Sequence, residues 1–528
     1  MASNRNRILP AIASFFIVGA GQALDGRIWA GIWFFILFYA PMLVLKVIWK
    51  GVNQGFWFIL GAWIILWIYN IFDAFKGPNY AVPPCEKTCP AGIAPWIYIN
   101  QIASRASWKY PFIPFFKILG LICPAPCEEK CTRRGVDEPV AIRELKNSVE
   151  IIKTVPTAQK RKEKIGVIGA GPCGLTLAYT LAKKGYELTV YEREDKPGGV
   201  LSTLIPEFRL PSSILHTEIK ALMEPGFEIK YGVELGKTVL VDDLLKDHDY
   251  LFLAIGAWIP VRLGIPGEDN GLVGLDILRR IKNGEKFDLG KVGVIGGGNT
   301  AFDVARCLKR LGNDVKIYYR RRLEDMPAEH ENHVEAVEEG IEIVPLTTPV
   351  GIVKNNVIMA KTLCVGGRQG KLETIKGSEF DVKIDSVVMA IGQKPDTQFL
   401  TGHLKVDDMD RILVKKGRTT HPRIFAGGDA VWGAKTLAHA VGDGLTAAER
   451  LDFQIRKVPP LFQFLAREKF LPKTLKQLKF SKEPRIKITH REVAKRIKDF
   501  KMTEQPIPPE HLVTEANRCL TCPMKYRP

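Results

Sequence analysis

The sequence predicts an α/β protein built on two Rossmann-like βαβ units, one inserted into the other. A helical, cysteine-bearing unit precedes them, and apolar transmembrane helices open the chain. Three observations carry this reading. Strand, glycine turn, helix and second strand follow one another twice, at 165–192 and at 292–319. The segments Ala254-Ile255-Gly256 and Ala390-Ile391-Gly392 echo each other on either side of the second unit. Seven of the ten cysteines fall in short, spaced groups: Cys85 and Cys89, then Cys123, Cys127 and Cys131, then Cys519 and Cys522. At 528 residues several domains are expected, since about 150 residues per domain is usual.

The first unit sets the frame. A strand over 165–168 leads into Gly169-Ala170-Gly171-Pro172-Cys173-Gly174, and a helix and a strand ending on Glu192 follow. This is the dinucleotide fingerprint in its required setting. Gly169 makes the tight turn. Gly171 lets the backbone approach a pyrophosphate, which the helix opened by Pro172 and Cys173 then stabilises. Gly174 brings helix and strand together, and Glu192 can accept hydrogen bonds from a ribose. Downstream, Lys196-Pro197-Gly198-Gly199-Val200-Leu201 forms a glycine turn that brings Gly198, Gly199 and Leu201 towards a bound ring.

The inserted unit carries a second fingerprint, Gly296-Gly297-Gly298-Asn299-Thr300-Ala301, with a helix over 302–311 and a strand over 315–319. Its closing position is Arg320-Arg321-Arg322 in place of an acid. Arginines pair with a 2′-phosphate in bidentate fashion where an acid would repel it, so this site should prefer NADPH to NADH. An arginine run on a solvated face is the alternative. The chain re-enters the first unit through a strand over 387–390 and reaches Ile424-Phe425-Ala426-Gly427-Gly428-Asp429-Ala430, ahead of a helix over 437–451. Gly428 and Asp429 at a strand end place a carboxylate near a ribityl chain, and the helix N-terminus faces the pyrophosphate or the flavin's pyrimidine edge. A simple NAD domain has no use for this second motif, so the first site is assigned FAD.

Cys85 and Cys89 stand as C-x3-C-P, and Cys123, Cys127 and Cys131 as C-x3-C-x3-C, with a mixed helical stretch over 93–117 between them. Thiolates at such spacing serve iron–sulfur clusters. Zinc is the competing reading, but it carries no electrons beside a flavin unit. Cys173, Cys307 and Cys364 are isolated, and no C-x4-C redox pair follows the first fingerprint, which sets disulfide reduction aside. Cys519-Leu520-Thr521-Cys522 near the C-terminus is a bare C-x2-C, weak by itself.

Ahead of the cysteines, 8–24, 28–49 and 56–72 are apolar. A membrane crossing needs about 20 such residues, so the second and third runs are candidates, with Trp29, Trp33, Trp49 and Trp67 suited to interfacial belts. A cleaved signal peptide does not fit several consecutive apolar runs. The pattern resembles small two-helix membrane modules. The net charge of +18 comes with no legible nucleic-acid module, so anionic lipid or an acidic redox partner is the better match. The basic, aromatic stretch 456–480 reads either as a membrane-surface segment or as a solvated linker.

Residues from about 85 to 528 resemble the small (beta) subunit of NADPH-dependent glutamate synthase. The same module forms the electron-input half of dihydropyrimidine dehydrogenase and the large subunit of NADH-dependent ferredoxin:NADP oxidoreductase. The resemblance is carried by Cys85–Pro90, CPAPCEEKC with PVAIREL, IGAGPCGL, IGGGNTAFD with YYRRR and DMPAE, and AGGDA. It implies FAD, NADPH and two [4Fe–4S] clusters. One departure is informative: the family's E-A-x-R-C-L-x-C segment, which precedes the Cys85 equivalent, stands here at the C-terminus as EANRCLTC. The resemblance then implies that one cluster uses Cys85, Cys131, Cys519 and Cys522 and the other Cys89, Cys123 and Cys127. The family's fourth ligand, a Glu or Gln, falls here on Lys146, with Glu144 nearby.

The expected organisation is a membrane anchor at 1–78, an iron–sulfur unit at 79–160, FAD parts at 161–256 and 387–452, an NADPH unit at 257–386, and a basic linker with the returning cysteines at 453–528. The expected activity is NADPH oxidation through FAD and the clusters at a prokaryotic cytoplasmic membrane, with the catalytic part facing the cytoplasm. Hydride transfer itself requires no protein acid or base, so no catalytic residue is named. The acceptor readings are a glutamate-synthase large subunit or similar partner protein, a membrane redox subunit or quinone, and, from another class, no acceptor at all in a non-catalytic scaffold.

Overall fold

The computed structural model describes residues 82–105, 109–152, 158–353, 356–368, 370–415, 417–457 and 482–522, together with 65 and 67–69. The apolar runs at the N-terminus, apart from those few positions, and residues 458–480 of the basic stretch lie outside the described residues. Among the described residues no helix is long and apolar enough to cross a membrane.

The cysteine-bearing unit is made of short helices: α1 (Pro84–Thr88), α2 (Pro95–Ala103), α3 (Phe116–Ile122), α4 (Pro126–Glu129) and α5 (Ile142–Leu145). Proline opens α1, α2 and α4, a position where its missing N–H is not needed. The expected helical stretch over 93–117 is broken: Lys109–Pro111 is a strand paired in parallel with Glu150–Ile152. Pro111 and Pro114 exclude a continuous helix there. Tyr98 closes the unit's core, donating its hydroxyl to Ile142 O at 2.9 Å and meeting Phe116 edge-on.

The first sheet begins with β1 (Lys164–Ile168), helix α6 (Pro172–Ala182), β2 (Glu187–Glu192), β3 (Glu228–Tyr231) and β4 (Tyr250–Leu253). The chain then enters a second sheet through β5 (Leu272–Val273), β6 (Lys291–Ile295), α7 (Asn299–Arg310), β7 (Asp314–Tyr318), α8 (His330–Glu338), β8 (Glu342–Val344) and β9 (Ser386–Met389). It returns to the first sheet as β10 (Ile424–Ala426), followed by α9 (Leu437–Arg456). Both sheets are parallel, ordered β10-β4-β1-β2-β3 and β8-β7-β6-β9-β5. The outgoing and returning segments pair as a short antiparallel ladder, Ile259–Pro260 with Gln393–Lys394. Helix α7 starts at Asn299, directly after Gly298, and not at the expected 302. Small residues let α9 approach two neighbours: a Cβ at Gly444 would lie 2.6 Å from Cys173 O, and one at Gly442 would lie 2.1 Å from Pro90 O.

The C-terminal segment, 482–522, returns to the cysteine-bearing unit through α10 (Pro509–Asn517). Glu515 accepts backbone N–H groups from Ala141 at 2.8 Å and Ile486 at 2.9 Å. Arg518, 1% exposed, donates to Glu515 at 2.8 Å, Asp137 at 3.0 Å and the carbonyls of Glu138, Pro139 and Glu483. Arg133 in turn holds Asp137 at 2.5 Å and Arg518 O at 2.9 Å. The same segment grips the second sheet's helices: Arg496 pairs with Glu338 and Glu339, and His490 with Glu335 at 2.6 Å.

Removing one partner from a buried ion pair strands the other. Arg518→Ala should therefore cost about 3–5 kcal/mol in chemical unfolding and expose 482–522 to protease. His490 offers a pH test. Its hydrogen bond to Glu335 holds its pKa above the ordinary value, with Glu504 adding to this and Arg496 opposing it. A raised folded pKa gives stability that is complete below about pH 6.5 and is lost as pH climbs through the folded value. The urea-midpoint gap between the wild type and His490→Gln should be widest below that pH and narrow above it.

Candidate functional site

A cavity of about 940 Å³ runs between the two sheets, and both glycine turns open into it. At the first turn, Gly169 has φ +103°, and a Cβ there would lie 2.4 Å from Ala254 O. A Cβ on Gly174 would lie 2.0 Å from Gly169 O, so α6 and β1 close to a distance only glycine permits. Gly171 differs: a Cβ there would meet nothing within 4 Å. It faces open space at the α6 N-terminus, beside Pro172 and Cys173, where a phosphate can approach. Gly199, with Leu201 behind it, lays the second glycine turn against Gly171. Gly198 stands behind the wall, donating its N–H to Ala170 O at 2.8 Å.

Glu192 ends β2 with its carboxylate at the cavity wall, accepting N–H groups from Ala170 at 2.7 Å and Glu194 at 3.0 Å. These bonds fix its rotamer and leave lone pairs for a ribose. Gly427 and Gly428 pack on Cys173, whose thiol is buried at the cavity wall. Asp429 also lines the cavity and accepts the Lys435 N–H at 3.1 Å. Burial pushes its carboxyl up to about 6, against the Lys435 hydrogen bond and with help from Asp443. Asp443, on α9, accepts Gly428 N–H at 3.0 Å and so orients the turn. Sequence reasoning missed it, because nothing local marks an acid in the middle of a helix.

At the second turn a Cβ on Gly296 would lie 2.3 Å from Ala390 O and 3.1 Å from the Ala301 Cβ. Gly298, Asn299 and Thr300 line the cavity at the α7 N-terminus, while Ala301 is buried behind them. Asn299 is anchored to Glu329, accepting its N–H at 2.9 Å. Gly297, unassigned from sequence, is required by Tyr319: a Cβ would sit 2.4 Å from that ring. The three arginines separate. Arg322 turns away to Asp325 at 2.8 Å. Arg321 is tethered to Gly370 O at 2.9 Å and Gly367 O at 3.3 Å, yet lines the cavity. Arg320 is exposed at the rim. Arg368, from the loop that tethers Arg321, joins them; it lies too far along the chain for the fingerprint to have pointed to it. Arg320, Arg321 and Arg368 together could hold a 2′-phosphate.

The cavity also reaches Ile122, the residue before Cys123. The cysteines of this unit and of the returning tail lie close enough to influence one another. Burial raises the Cys85 thiol, and Cys519, Cys127, Cys131 and Cys522, in that order, raise it further. Cys519, pushed up to about 12 by burial, feels Cys131 and Cys522. Cys522 Sγ lies 2.7 Å from Thr132 Oγ1. Of Cys89, Cys123 and Cys127, burial raises the last two, and each feels Cys89. Glu144 is buried, its carboxylate pairing with Arg143 at 2.7 Å and Arg485 at 3.6 Å, while its Oε2 accepts no hydrogen bond.

Two nucleotide turns opening into one cavity define a pyridine-nucleotide-dependent flavin oxidoreductase. The sequence comparisons agree: the chain belongs to the pyridine nucleotide-disulphide oxidoreductase family, whose model matches residues 163–444. It is 35% identical over 428 residues to the NADP(+)-dependent formate dehydrogenase subunit beta of Moorella thermoacetica, covering 72% of this chain and 60% of that subunit. It is 31% identical over 413 residues to the glutamate synthase [NADPH] small chain of Escherichia coli K12, covering 70% of this chain and 87% of that one. The chain thus spans under two thirds of the formate dehydrogenase subunit. Mycobacterium tuberculosis FprA in complex with NADPH superposes with a TM-score of 0.51 at 18% identity, over 58% of this chain and 89% of that one, a likeness in fold alone.

A charge-assisted hydrogen bond is worth about 1.5–3 kcal/mol, and 1.4 kcal/mol is about tenfold in an equilibrium constant. Arg320→Ala and Arg368→Ala should each raise KM for NADPH about tenfold or more, with KM for NADH unchanged, in steady-state dye reduction.

Proposed function

We propose that this chain is the electron-input subunit of a redox assembly, taking a hydride from NADPH at FAD and delivering electrons through two [4Fe–4S] clusters to a partner protein. The observation that carries this is the single cavity joining both glycine turns and ending at Ile122, next in the chain to Cys123. Flavin chemistry supplies the change from a two-electron donor to one-electron carriers. The chain's part is to hold and orient: the α6 and α7 N-termini receive phosphates, Glu192 a ribose, Asp429 the ribityl side, and the arginines the 2′-phosphate. Cys85, Cys131, Cys519 and Cys522 fit one cluster and Cys89, Cys123 and Cys127 the other. Among the described residues no group of three or more His, Cys, Asp or Glu is set to hold a single metal ion.

In this reading, 79–160 with the returning tail is the iron–sulfur unit, 161–256 with 387–452 holds FAD, and 257–386 holds NADPH. A protein partner is supported by one relative named as a subunit and another named as a small chain. The apolar runs before residue 78 support anchoring to a cytoplasmic membrane with the cofactor units on the cytoplasmic side, and they alone favour a membrane redox subunit or quinone as acceptor. Delivery to a glutamate-synthase large subunit is the second reading, favoured by the 31% identity to such a small chain.

Purified full-length protein should show flavin absorbance, iron and acid-labile sulfide, and should reduce a dye with NADPH. Cys519→Ala with Cys522→Ala should remove about half the iron, one four-iron cluster of two, with flavin content unchanged. Absence of both flavin and iron would end the proposal.

A further inference from the structure

Helix α9 begins a few residues after the Gly428-Asp429 turn, and Lys435, Thr436 and His439 at its start all line the large cavity. Thr436 stands directly before the helix. A threonine there ordinarily caps the first turn, its hydroxyl accepting a backbone N–H. This one makes no such cap. Its Oγ1 lies 2.8 Å from His439 Nδ1 and shares a hydrogen bond with the ring. The Thr436 carbonyl closes the backbone of the turn, accepting N–H groups from His439 at 3.0 Å and Ala440 at 3.2 Å. The hydroxyl is thus occupied in holding an imidazole at the cavity wall. With Nδ1 engaged, Nε2 has no hydrogen-bond partner among the described residues.

The surroundings keep this ring neutral at rest. The positive end of a helix dipole disfavours a cation in the first turn. Burial lowers the His439 pKa, Lys435 lowers it further, and Asp443, one turn along α9, opposes both. Asp443 is itself occupied by the Gly428 N–H at 3.0 Å, and Asp429 accepts the Lys435 N–H at 3.1 Å. Of the other elements packed along α9, α6 brings Cys173 and Thr176, and the cysteine-bearing unit brings Pro90 and Ala91; none of these carries a charge. A neutral base in such a place responds to negative charge arriving in the cavity, because a nearby opposite charge favours its protonated form.

We propose that His439 takes up a proton at Nε2 to balance the charge added when the flavin is reduced; this rests on the FAD reading above. In the neutral ring Nδ1–H donates to Thr436 Oγ1, and Nε2 keeps its lone pair. A hydride from NADPH brings two electrons and one proton, and adds one negative charge where it lands. His439 then binds one proton from solvent, so two protons accompany each electron pair while it is held. When the electrons leave singly for the clusters, the hydride's proton and the His439 proton both return to solvent, and the ring is neutral again.

The test is an equilibrium redox titration of the full-length protein with its cofactors, without turnover, following flavin absorbance across neutral pH. The wild-type midpoint should fall with rising pH as two protons per electron pair require. In His439→Gln or His439→Asn, whichever retains flavin, it should fall half as steeply. Equal slopes in wild type and variant, even with the midpoints offset, would overturn the assignment, because a packing role moves the midpoint and leaves its pH dependence alone. A one-proton slope in the wild type would overturn it without any variant. A wild-type protein lacking flavin absorbance would overturn the FAD reading itself, a distinguishable result.

Discussion

The arrangement hangs on a buried arginine near the end of the chain. Arg518 lies between Glu515 of its own helix and Asp137 of the cysteine-bearing unit, with three carbonyls completing its donors. A guanidinium so enclosed is tolerable only when its N–H groups find acceptors in a fixed fork. That geometry exists in one docking of the tail against 133–141. Cys519 follows Arg518 directly and Cys522 lies four residues after it, so the placement of both thiols is inherited from an ion pair. A segment far away in sequence is thereby delivered beside Cys85 and Cys131.

The tail does more than bring cysteines. Its Glu504 meets Arg143, which also meets Glu331 of the second sheet's α8. Its Arg496 joins Arg306 and Arg310 of α7 around the single carboxylate of Glu339. Thr503 N–H bonds Phe208 O, from the first sheet's unit. One strap therefore touches every unit that borders the cavity. Buried ion pairs recover little net stability after desolvation, but they penalise any misaligned docking. What they fix here is register: the cavity's two halves and the cysteine groups are held relative to one another by contacts that fail together if the strap shifts.

Much of the nucleotide-binding fold was legible because backbone constraint leaves a local trace. A strand cannot turn into a helix this tightly unless Gly169 accepts φ +103° and Gly174 lacks a side chain, and such needs appear as spaced glycines. The Gly427-Gly428-Asp429 turn was readable for the same reason. Features made by distant side chains left no such trace. Asp443 orients that turn from mid-helix, Arg368 reaches the second site from a loop, and Gly297 is demanded by an aromatic ring rather than by a ligand. The helical stretch expected over 93–117 failed because its apolar spacing is interrupted by prolines whose partner strand lies some forty residues downstream. Lys146 was noticed only as a departure, and its burial beside the Phe116 ring was invisible in one dimension.

The arginine cluster shows how a short motif becomes selective. The run of three looks uniform in sequence, but the fold assigns each a different condition. Arg322 is neutralised by Asp325 and contributes little field to the cavity. Arg321 loses freedom through carbonyls of the 367–370 loop, so its guanidinium is oriented before any ligand arrives. Arg320 stays exposed at the rim. Preorganised charge loses less entropy on binding than a mobile side chain, and the loop that orients Arg321 also supplies Arg368. In the proposed function, selectivity for a phosphorylated nicotinamide is assigned to the pairing of a strand end with a loop, and a run of arginines without that loop would be an ordinary solvated edge.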